Sequence, residues 1–291
     1  NINLFEDYLT RVLNGEPYQY VIKESTFLGN SFYVDSNVLI PRQETEQLVL
    51  DTIEYCKTIL KNKEIVMADL CSGSGIIGIE FKRAFPNSNV YAVDIDESAL
   101  SITSKNAKLN KVNINSLLGD FYKPLINNNI KLDVLVSNPP YIENINQIDK
   151  QVWEYEPHLA LLASPSTYFY EEVFKNYDKF MNESFFMSFE INEDMEKELC
   201  SLINQYMQNV TYIFKKDLYN KTRFLYIIKG MNNDIKIASE SDISAISGFA
   251  CVNGVNLVVC DNASSKASSL LISSFDIKFL STSLYKFYIL K

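Results

Sequence analysis

The sequence predicts an α/β fold, a doubly wound and mostly parallel sheet with helices on both faces. Two observations predict it. Short apolar runs alternate with segments of helical spacing, the pattern of parallel strands joined by crossover helices. The first run of the alternation, Ile65–Leu70, passes through a glycine-rich turn into a helical stretch. Strand, turn and helix in that order build the ligand edge of such sheets.

The elements follow along the chain. A short helix is expected over Leu4–Leu13, then a Gly-Glu-Pro turn at Gly15 to Pro17 and extended segments around Phe27 and Phe32 to Val34. From Glu44 to Leu60 the apolar positions Leu48, Ile53, Cys56, Ile59 and Leu60 fall near helical spacing. After Ile65–Leu70 a helical stretch runs to Lys82. The next strand, Val90–Asp94, precedes a helix over Glu97–Leu109, and further strands are expected near Ile114–Leu118 and over Leu132–Ser137. Beyond a long irregular section come strands at Phe185–Ile191 and Phe224–Lys229, with a helix at about Asp194–Gln208 between them. Residues 231–291 change character. They are rich in Ser and Asn, show no periodic helix, and carry β-like runs at Val255–Cys260 and Phe279–Leu290. They read as an appendage of unknown role, or as the opening hairpin of a second domain, because Leu257 to Asp261 followed by small polar residues resembles a strand entering a phosphate-type turn.

Composition narrows the function. With 47% hydrophobic and 22% charged residues, the 291-residue chain has the make-up of a globular protein. No run approaches the roughly 18 apolar residues of a membrane span, and Asn1 to Thr10 lacks a secretory layout. The chain opens on Asn1 rather than Met, as expected if the natural start lies upstream. Thirty-six acids against 27 bases give a net charge of −9, which repels phosphate backbones at long range and leaves only a local basic groove for nucleic acid. Five scattered cysteines without a C-x-x-C pair point to reduced thiols and a cytoplasmic protein, with no zinc site. The single histidine, His158, argues against His-based metal sites and Ser-His-Asp triads and reads as a loop residue.

Two constellations carry chemistry. In Asp69-Leu70-Cys71-Ser72-Gly73-Ser74-Gly75 the glycines allow close backbone approach to a ligand at a helix N-terminus. Asp94, nineteen residues beyond Gly75, ends the next strand where a carboxylate can accept the hydroxyls of a ribose. Together they describe a nucleoside pocket; a plain tight turn beside a solvated Asp is the simpler alternative. Gly73 to Gly78 also spells G-x-G-x-x-G, which fits NAD. Asp69, however, would set a negative charge near a pyrophosphate, whereas it suits the cationic methionine end of S-adenosylmethionine. The second constellation is Asn138-Pro139-Pro140-Tyr141 after the fourth strand. Two prolines fix φ, remove two donors and hold Asn138 extended. The Asn138 side-chain oxygen and the Pro139 carbonyl can jointly accept both hydrogens of a planar NH2 group, with Tyr141 as a stacking face. That geometry suits methylation of an sp2 nitrogen, where catalysis is largely orientation. A proline-stiffened loop with an incidental Asn is the bland alternative.

These residues resemble the bacterial release factor glutamine methyltransferase family. The match extends from about Asn14 to Lys229 through Asn14-Gly15-Glu16-Pro17-x-Gln19-Tyr20, Leu39-Ile40-Pro41-Arg42-Gln43-Glu44-Thr45-Glu46, Val93-Asp94, Asn138 to Ile142, Tyr155-Glu156-Pro157 and Phe189-Glu190-Ile191. Asn-Pro-Pro-Tyr alone is shared with adenine-amino methyltransferases; the Pro-Arg-x-Glu-Thr-Glu segment is more specific, with Gln43 here replacing a proline. The resemblance implies a seven-stranded sheet of the S-adenosylmethionine-dependent methyltransferase type. It also implies donor contacts at Cys71, Ser72, Gly73, Ser74, Gly75, Asp94, Phe121 and Asn138, with Phe121 against the adenine. Asn138, Pro139 and Tyr141 would be catalytic, and Asn138 to Tyr141, Pro140 included, would bind the glutamine of the Gly-Gly-Gln tip of peptide chain release factors. Arg42 and Glu46 would brace the active-site loop, unless they form only an ion pair or a surface helix start. Glu156 would be a buried loop anchor. Three departures stand out: Cys71 in place of the family's first glycine, an N-terminal helical domain reduced to residues 1–35, and residues 231–291 without a counterpart. Residues 36–230 are the expected methyltransferase domain. An adenine-amino methyltransferase, a non-catalytic binding remnant and an NAD dehydrogenase are the competing functions.

Overall fold

The computed structural model describes residues 2–60 and 64–230 and, beyond them, four short strands. Helices α1 (Ile2–Leu13) and α2 (Tyr18–Ile22) lead into a hairpin of β1 (Ser25–Phe27) and β2 (Asn30–Phe32). Helix α3 (Gln43–Ile59) follows, then the alternation: β3 (Val66–Leu70), α4 (Ile76–Ala84), β4 (Asn89–Asp94), α5 (Glu97–Leu109), β5 (Asn115–Leu118), α6 (Lys123–Asn127) and β6 (Leu132–Ser137). Next come α7 (Lys150–Tyr155), α8 (Tyr168–Asn176), β7 (Met181–Glu190), α9 (Glu196–Tyr206), β8 (Val210–Lys216) and β9 (Thr222–Lys229). Helix α8 lies in the section read as irregular and β8 was not predicted. The first has the spacing of a core helix, with Phe169, Tyr170, Val173 and Phe174 all buried; the second carries the strand-like run Val210 to Phe214 and pairs with β9.

Strands β3 to β9 form the expected seven-stranded sheet in the order β8-β9-β7-β6-β3-β4-β5. All neighbours are parallel except β9, which runs antiparallel to both β7 and β8. The described C-terminal strands, β10 (Gly248–Val252), β11 (Val255–Val259), β12 (Leu280–Thr282) and β13 (Tyr285–Ile289), extend this sheet antiparallel from the β8 edge. The β-like runs read in the tail therefore coincide with β11, β12 and β13. The turn expected beyond Cys260 lies outside the described residues.

The two-residue period of the strands sorts the core into two layers. Val134 and Val136 of β6 and Phe186 of β7 pack with Leu48 of α3, Phe81 of α4 and the hairpin residues Phe27 and Phe32. Leu135, Met187 and Phe189 point the other way, against Phe169, Phe174 and Leu199 of α8 and α9. Strand β6 is buried along its whole length, as a central strand covered on both faces must be. Its one acid, Asp133, accepts bonds from the Val66 N–H (3.0 Å) and the Asn182 side chain (2.7 Å).

One polar cluster pins α3 to the far side of the sheet. Lys215 Nζ lies 2.9 Å from both oxygens of Asp51, and the buried Tyr226 hydroxyl donates to Asp51 at 2.6 Å. Removing the carboxylate strands a cation and a hydroxyl with little access to water. Asp51→Ala is expected to lower unfolding free energy by on the order of 3 kcal/mol in urea titration; a loss under about 1 kcal/mol would show that the cluster is solvated.

Candidate functional site

Register creates the site. Leu70 of β3 pairs with Val93 of β4 and with Ser137 of β6, and Ser137 pairs with Phe189 of β7. The carboxyl ends of four parallel strands are thus level, and the residues that leave them, Cys71, Asp94, Asn138 and Glu190, emerge at one edge of the sheet. The chain winds outward from β3 in both directions, which opens a crevice at this edge. A cavity of about 360 Å³ occupies it.

The wall from the first turn is Cys71, Ser72, Gly73 and Ser74. Its shape is fixed from several sides. Gly75 has φ +79° and caps α4, and its N–H bonds back to the Ser72 carbonyl at 2.8 Å. Thr103 of α5 donates to the Gly73 carbonyl (2.8 Å), and Asn106 donates to the Ser74 carbonyl (2.9 Å). Gly75 itself is not part of the cavity wall; it shapes the turn behind it. Cys71 has φ +58°, so the position does need the left-handed region that its family glycine would supply without strain. Burial and the nearby Asp94 and Asp69 charges push the Cys71 thiol well up, which keeps it an uncharged thiol.

Asp94 bridges turn and strand. One oxygen accepts the Gly73 N–H at 2.8 Å and the other the Asp96 N–H at 3.1 Å, which leaves further lone pairs toward the cavity. Burial raises its pKa, with these backbone donors pulling the other way. Behind the turn, fully buried Asp69 accepts the Gly78 N–H at 3.0 Å through one oxygen, while the other oxygen has no partner. Burial pushes its pKa up to about 8, Gly78 opposing and the Asp94 charge adding to it. The buried Ser72 hydroxyl also lacks a partner. Buried orphan polar atoms of this kind call for a polar ligand. On the opposite wall Phe121 is held edge-on against Phe169, ring centres 4.9 Å apart, and presents an apolar face beside Val93 and Ile95.

Asn138 and Pro140 line the same cavity, whereas Pro139 is buried outside its wall. The Asn138 Nδ2 donates to Thr45 Oγ1 (3.1 Å), and Thr45 donates to Glu190 Oε2 (2.7 Å). Tyr141 does not line this cavity. Its hydroxyl donates to the other Glu190 oxygen at 3.2 Å, and its ring borders a separate open groove with Asn144, Asn192 and Glu198. Glu190 is fully buried; burial raises its pKa, and the Thr45 and Tyr141 hydroxyls and the Arg223 charge counter that. Thr45 and Glu190 are functional candidates that no reading of spacing singled out.

Glu156 closes the remaining side. It accepts from the Ile40 N–H (3.1 Å) and from Arg42 (2.6 Å), so both of its oxygens are committed to anchoring the Ile40–Arg42 wall. Arg42 thus braces the site. Glu46 instead accepts the Leu28 N–H at 2.7 Å and braces the hairpin. His158 is exposed, stacked on Trp153 at 3.6 Å. Among the described residues no group of His, Cys, Asp and Glu is placed to hold a metal, and no helix is long and apolar enough to cross a membrane.

The chain matches the Methyltransferase small domain family over residues 48–188. A release factor glutamine methyltransferase of Flavobacterium psychrophilum is 36% identical over 234 residues, covering 78% of this chain and 81% of that protein. The protein of the same name from Mycoplasma mycoides is 35% identical, covering 72% and 76%. Among solved structures, a methyltransferase from Pyrococcus furiosus superposes with a TM-score of 0.50 at 16% identity, over 77% of this chain and 98% of that one. A 16S rRNA N2 G1207 methyltransferase from T. thermophilus gives 0.52 at 14%, over 71% and 50%. Likeness at that level establishes the fold: a mostly parallel sheet of methyltransferase type.

A Cβ on Gly75 would lie 2.8 Å from Thr103 Cγ2, at a φ that L-residues avoid. Gly75→Ala is therefore expected to cost about 1–3 kcal/mol of stability and to displace the wall of the cavity. Denaturant melts check the first effect, and an Ala variant as stable as the parent contradicts it.

Proposed function

We propose a reaction for this chain on one premise: it belongs to the release factor glutamine methyltransferase family. The reaction is transfer of a methyl group from S-adenosylmethionine to the side-chain amide nitrogen of the glutamine in the Gly-Gly-Gln motif of peptide chain release factors. The observation that carries this reading is the shared wall. Asn138 and Pro140 face the same cavity as the Cys71–Ser74 turn, Asp94 and Phe121, so an acceptor for a carboxamide meets a pocket for a nucleoside.

The cavity suits the donor chemically. Asp94 offers lone pairs to ribose hydroxyls, Phe121 an aromatic face to the adenine, and the unpartnered Ser72 hydroxyl a hydrogen-bonding group for the amino acid part, with the Asp69 carboxyl buried behind that wall and acting on a bound cation only through its charge. Bound there, S-adenosylmethionine supplies an electrophilic sulfonium methyl. The protein's part is orientation. An amide nitrogen is a poor nucleophile because its lone pair is delocalised. Asn138 Oδ1 and the carbonyl that joins buried Pro139 to the wall residue Pro140 accept its two hydrogens, turn the lone pair toward the methyl group, and lower the entropy cost of the encounter. The methylated, still protonated amide is strongly acidic and sheds its proton without a dedicated base. Glu156, tied to Arg42 and Ile40, is not needed as one.

Residues 36–230 form the methyltransferase unit in this reading, residues 1–35 a helical linker region, and residues 231–291 an appendage of unknown role whose described strands β10 to β13 continue the sheet. Release factors are the expected protein partners and the cytoplasm the expected location, in keeping with Cys56, Cys71 and Cys200 standing outside any disulfide. Adenine-amino methylation would use the same Asn-Pro-Pro-Tyr turn, but a net charge of −9 opposes docking on a phosphate backbone.

Incubation with methyl-labelled donor and either a release factor or DNA tests the reading. The label is expected on the Gly-Gly-Gln glutamine, with Asn138→Ala slowing turnover by about 100-fold or more while donor affinity changes little. Label found only in DNA would transfer the case to the adenine reading. A second expectation comes from Asp69. Its carboxyl is protonated below pH about 8 in the free protein, and a bound cation favours the ionised form, so binding releases protons. Donor affinity measured by calorimetry should therefore rise from pH 6 to 7.5, by up to about tenfold per unit, and the slope should shrink in Asp69→Asn. A pH-independent affinity would remove Asp69 from donor binding.

A further inference from the structure

We propose that Thr45 and Glu190 are positioning residues that set the polarity of the Asn138 amide, so that its oxygen and not its NH2 end faces the cavity. The inference deepens the methyl-transfer reading above and rests on it for its catalytic meaning.

A hydroxyl has a single hydrogen to donate. Thr45 Oγ1 gives that hydrogen to Glu190 Oε2 at 2.7 Å. Toward Asn138, 3.1 Å away, it presents only lone pairs. The end of the amide that meets it must be the donor, Nδ2, and Oδ1 then lies at the opposite end. A side-chain amide left to itself has no such preference, because its terminal torsion is broad and nearly two-fold and its oxygen and nitrogen are almost the same size. Turned the other way, Asn138 would offer hydrogens to the hydrogens of an incoming carboxamide, and the orienting contact would become a repulsion.

Glu190 keeps the chain of donors running in one direction. Its two oxygens accept from two hydroxyls, Thr45 and Tyr141; the directional chain requires the acceptor-only, ionised form, which those hydroxyls and the Arg223 charge favour against the burial that raises its pKa. It sits at the end of β7, fully buried, with Arg223 the nearby opposite charge and Glu44 the nearby like charge. The row of level strand ends brings Asn138 and Glu190 side by side, and Thr45, in the first turn of α3, spans them. The Pro-Arg-x-Glu-Thr-Glu segment and the Asn-Pro-Pro-Tyr turn, about ninety positions apart in the chain, are thereby joined by one hydroxyl. Tyr141 takes part through its hydroxyl on Glu190, outside the cavity wall.

The test compares wild type, Thr45→Ser, Thr45→Val and the double variant Thr45→Val/Asn138→Ala. For each, methyl transfer to a release factor gives kcat and KM, calorimetry gives the donor Kd, and the side-chain amide of Asn138 is followed by 15N NMR, identified by its loss in Asn138→Ala. Thr45→Val, which keeps shape and loses the hydroxyl, is expected to lower kcat ten- to a hundredfold with donor Kd within threefold of wild type. Thr45→Ser should restore kcat to within threefold. On the Asn138→Ala background Thr45→Val should cost nothing more. The Asn138 amide protons should be ordered and slow to exchange with solvent in wild type and should lose that protection in Thr45→Val. A Thr45→Val enzyme with near-normal kcat, or one whose loss persists in full on the Asn138→Ala background, overturns the positioning role. A wild-type protein that transfers no methyl to release factor overturns the functional reading instead; the amide protons still report on polarity, and protons unchanged by Thr45→Val overturn the inference by themselves.

Discussion

Everything at this site depends on the alignment of four strand ends. Because Leu70, Val93, Ser137 and Phe189 share one level of the sheet, residues as distant in sequence as Cys71, Asp94, Asn138 and Glu190 project from a single edge. A parallel ladder fixes this more firmly than any loop could. A slip of one residue in β6 would exchange its buried faces, since Val134 and Val136 fill one layer and Leu135 the other. The hydrophobic pattern of the core and the geometry of the site are thus the same constraint. The Ser137 hydroxyl, donating to the Leu70 carbonyl at 2.6 Å, adds a side-chain tie across that row.

The edge so formed is strongly acidic and partly dry. Asp69, Asp94 and Glu190 are all held where burial raises their pKa, a cost that structural ion pairs would normally offset. Two of them are offset only by backbone N–H groups, and one oxygen of Asp69 by nothing. The summed negative charge of this edge favours a cationic ligand over a pyrophosphate, so the site suits a sulfonium donor. Glu190 is different: two hydroxyls satisfy it from inside the protein.

Much of this was legible in the sequence, and the reasons are local. The strands Leu132–Ser137 and Asn89–Asp94 and the helix Glu97–Leu109 announce themselves by composition and period. The glycine turn and the paired prolines constrain their own backbones, so their place at strand ends could be read without a partner. Helix α8 hid in a segment crowded with aromatics, where helical spacing and strand-like composition compete. Strand β8 carries the β-branched and aromatic run Val210-Thr211-Tyr212-Ile213-Phe214, so its composition does signal a strand. Thr45 and Glu190 belong to two sequence motifs, Pro41–Glu46 and Phe189–Ile191, and nothing in either motif says that they touch. That contact is made by the packing of α3 against the ends of β6 and β7, over 145 residues of chain. Tyr141 shows the reverse. Its aromatic ring suggested a stacking face, and tertiary structure turned its hydroxyl onto Glu190.

The most direct test of the central claim is a crystal structure of the protein with S-adenosylhomocysteine and a peptide containing Gly-Gly-Gln. The glutamine Nε2 is expected within about 3.2 Å of both Asn138 Oδ1 and the Pro139 carbonyl oxygen, with Asn138 Nδ2 still on Thr45. A glutamine bound elsewhere, or an Asn138 oxygen turned away from the cavity toward Thr45, would contradict it.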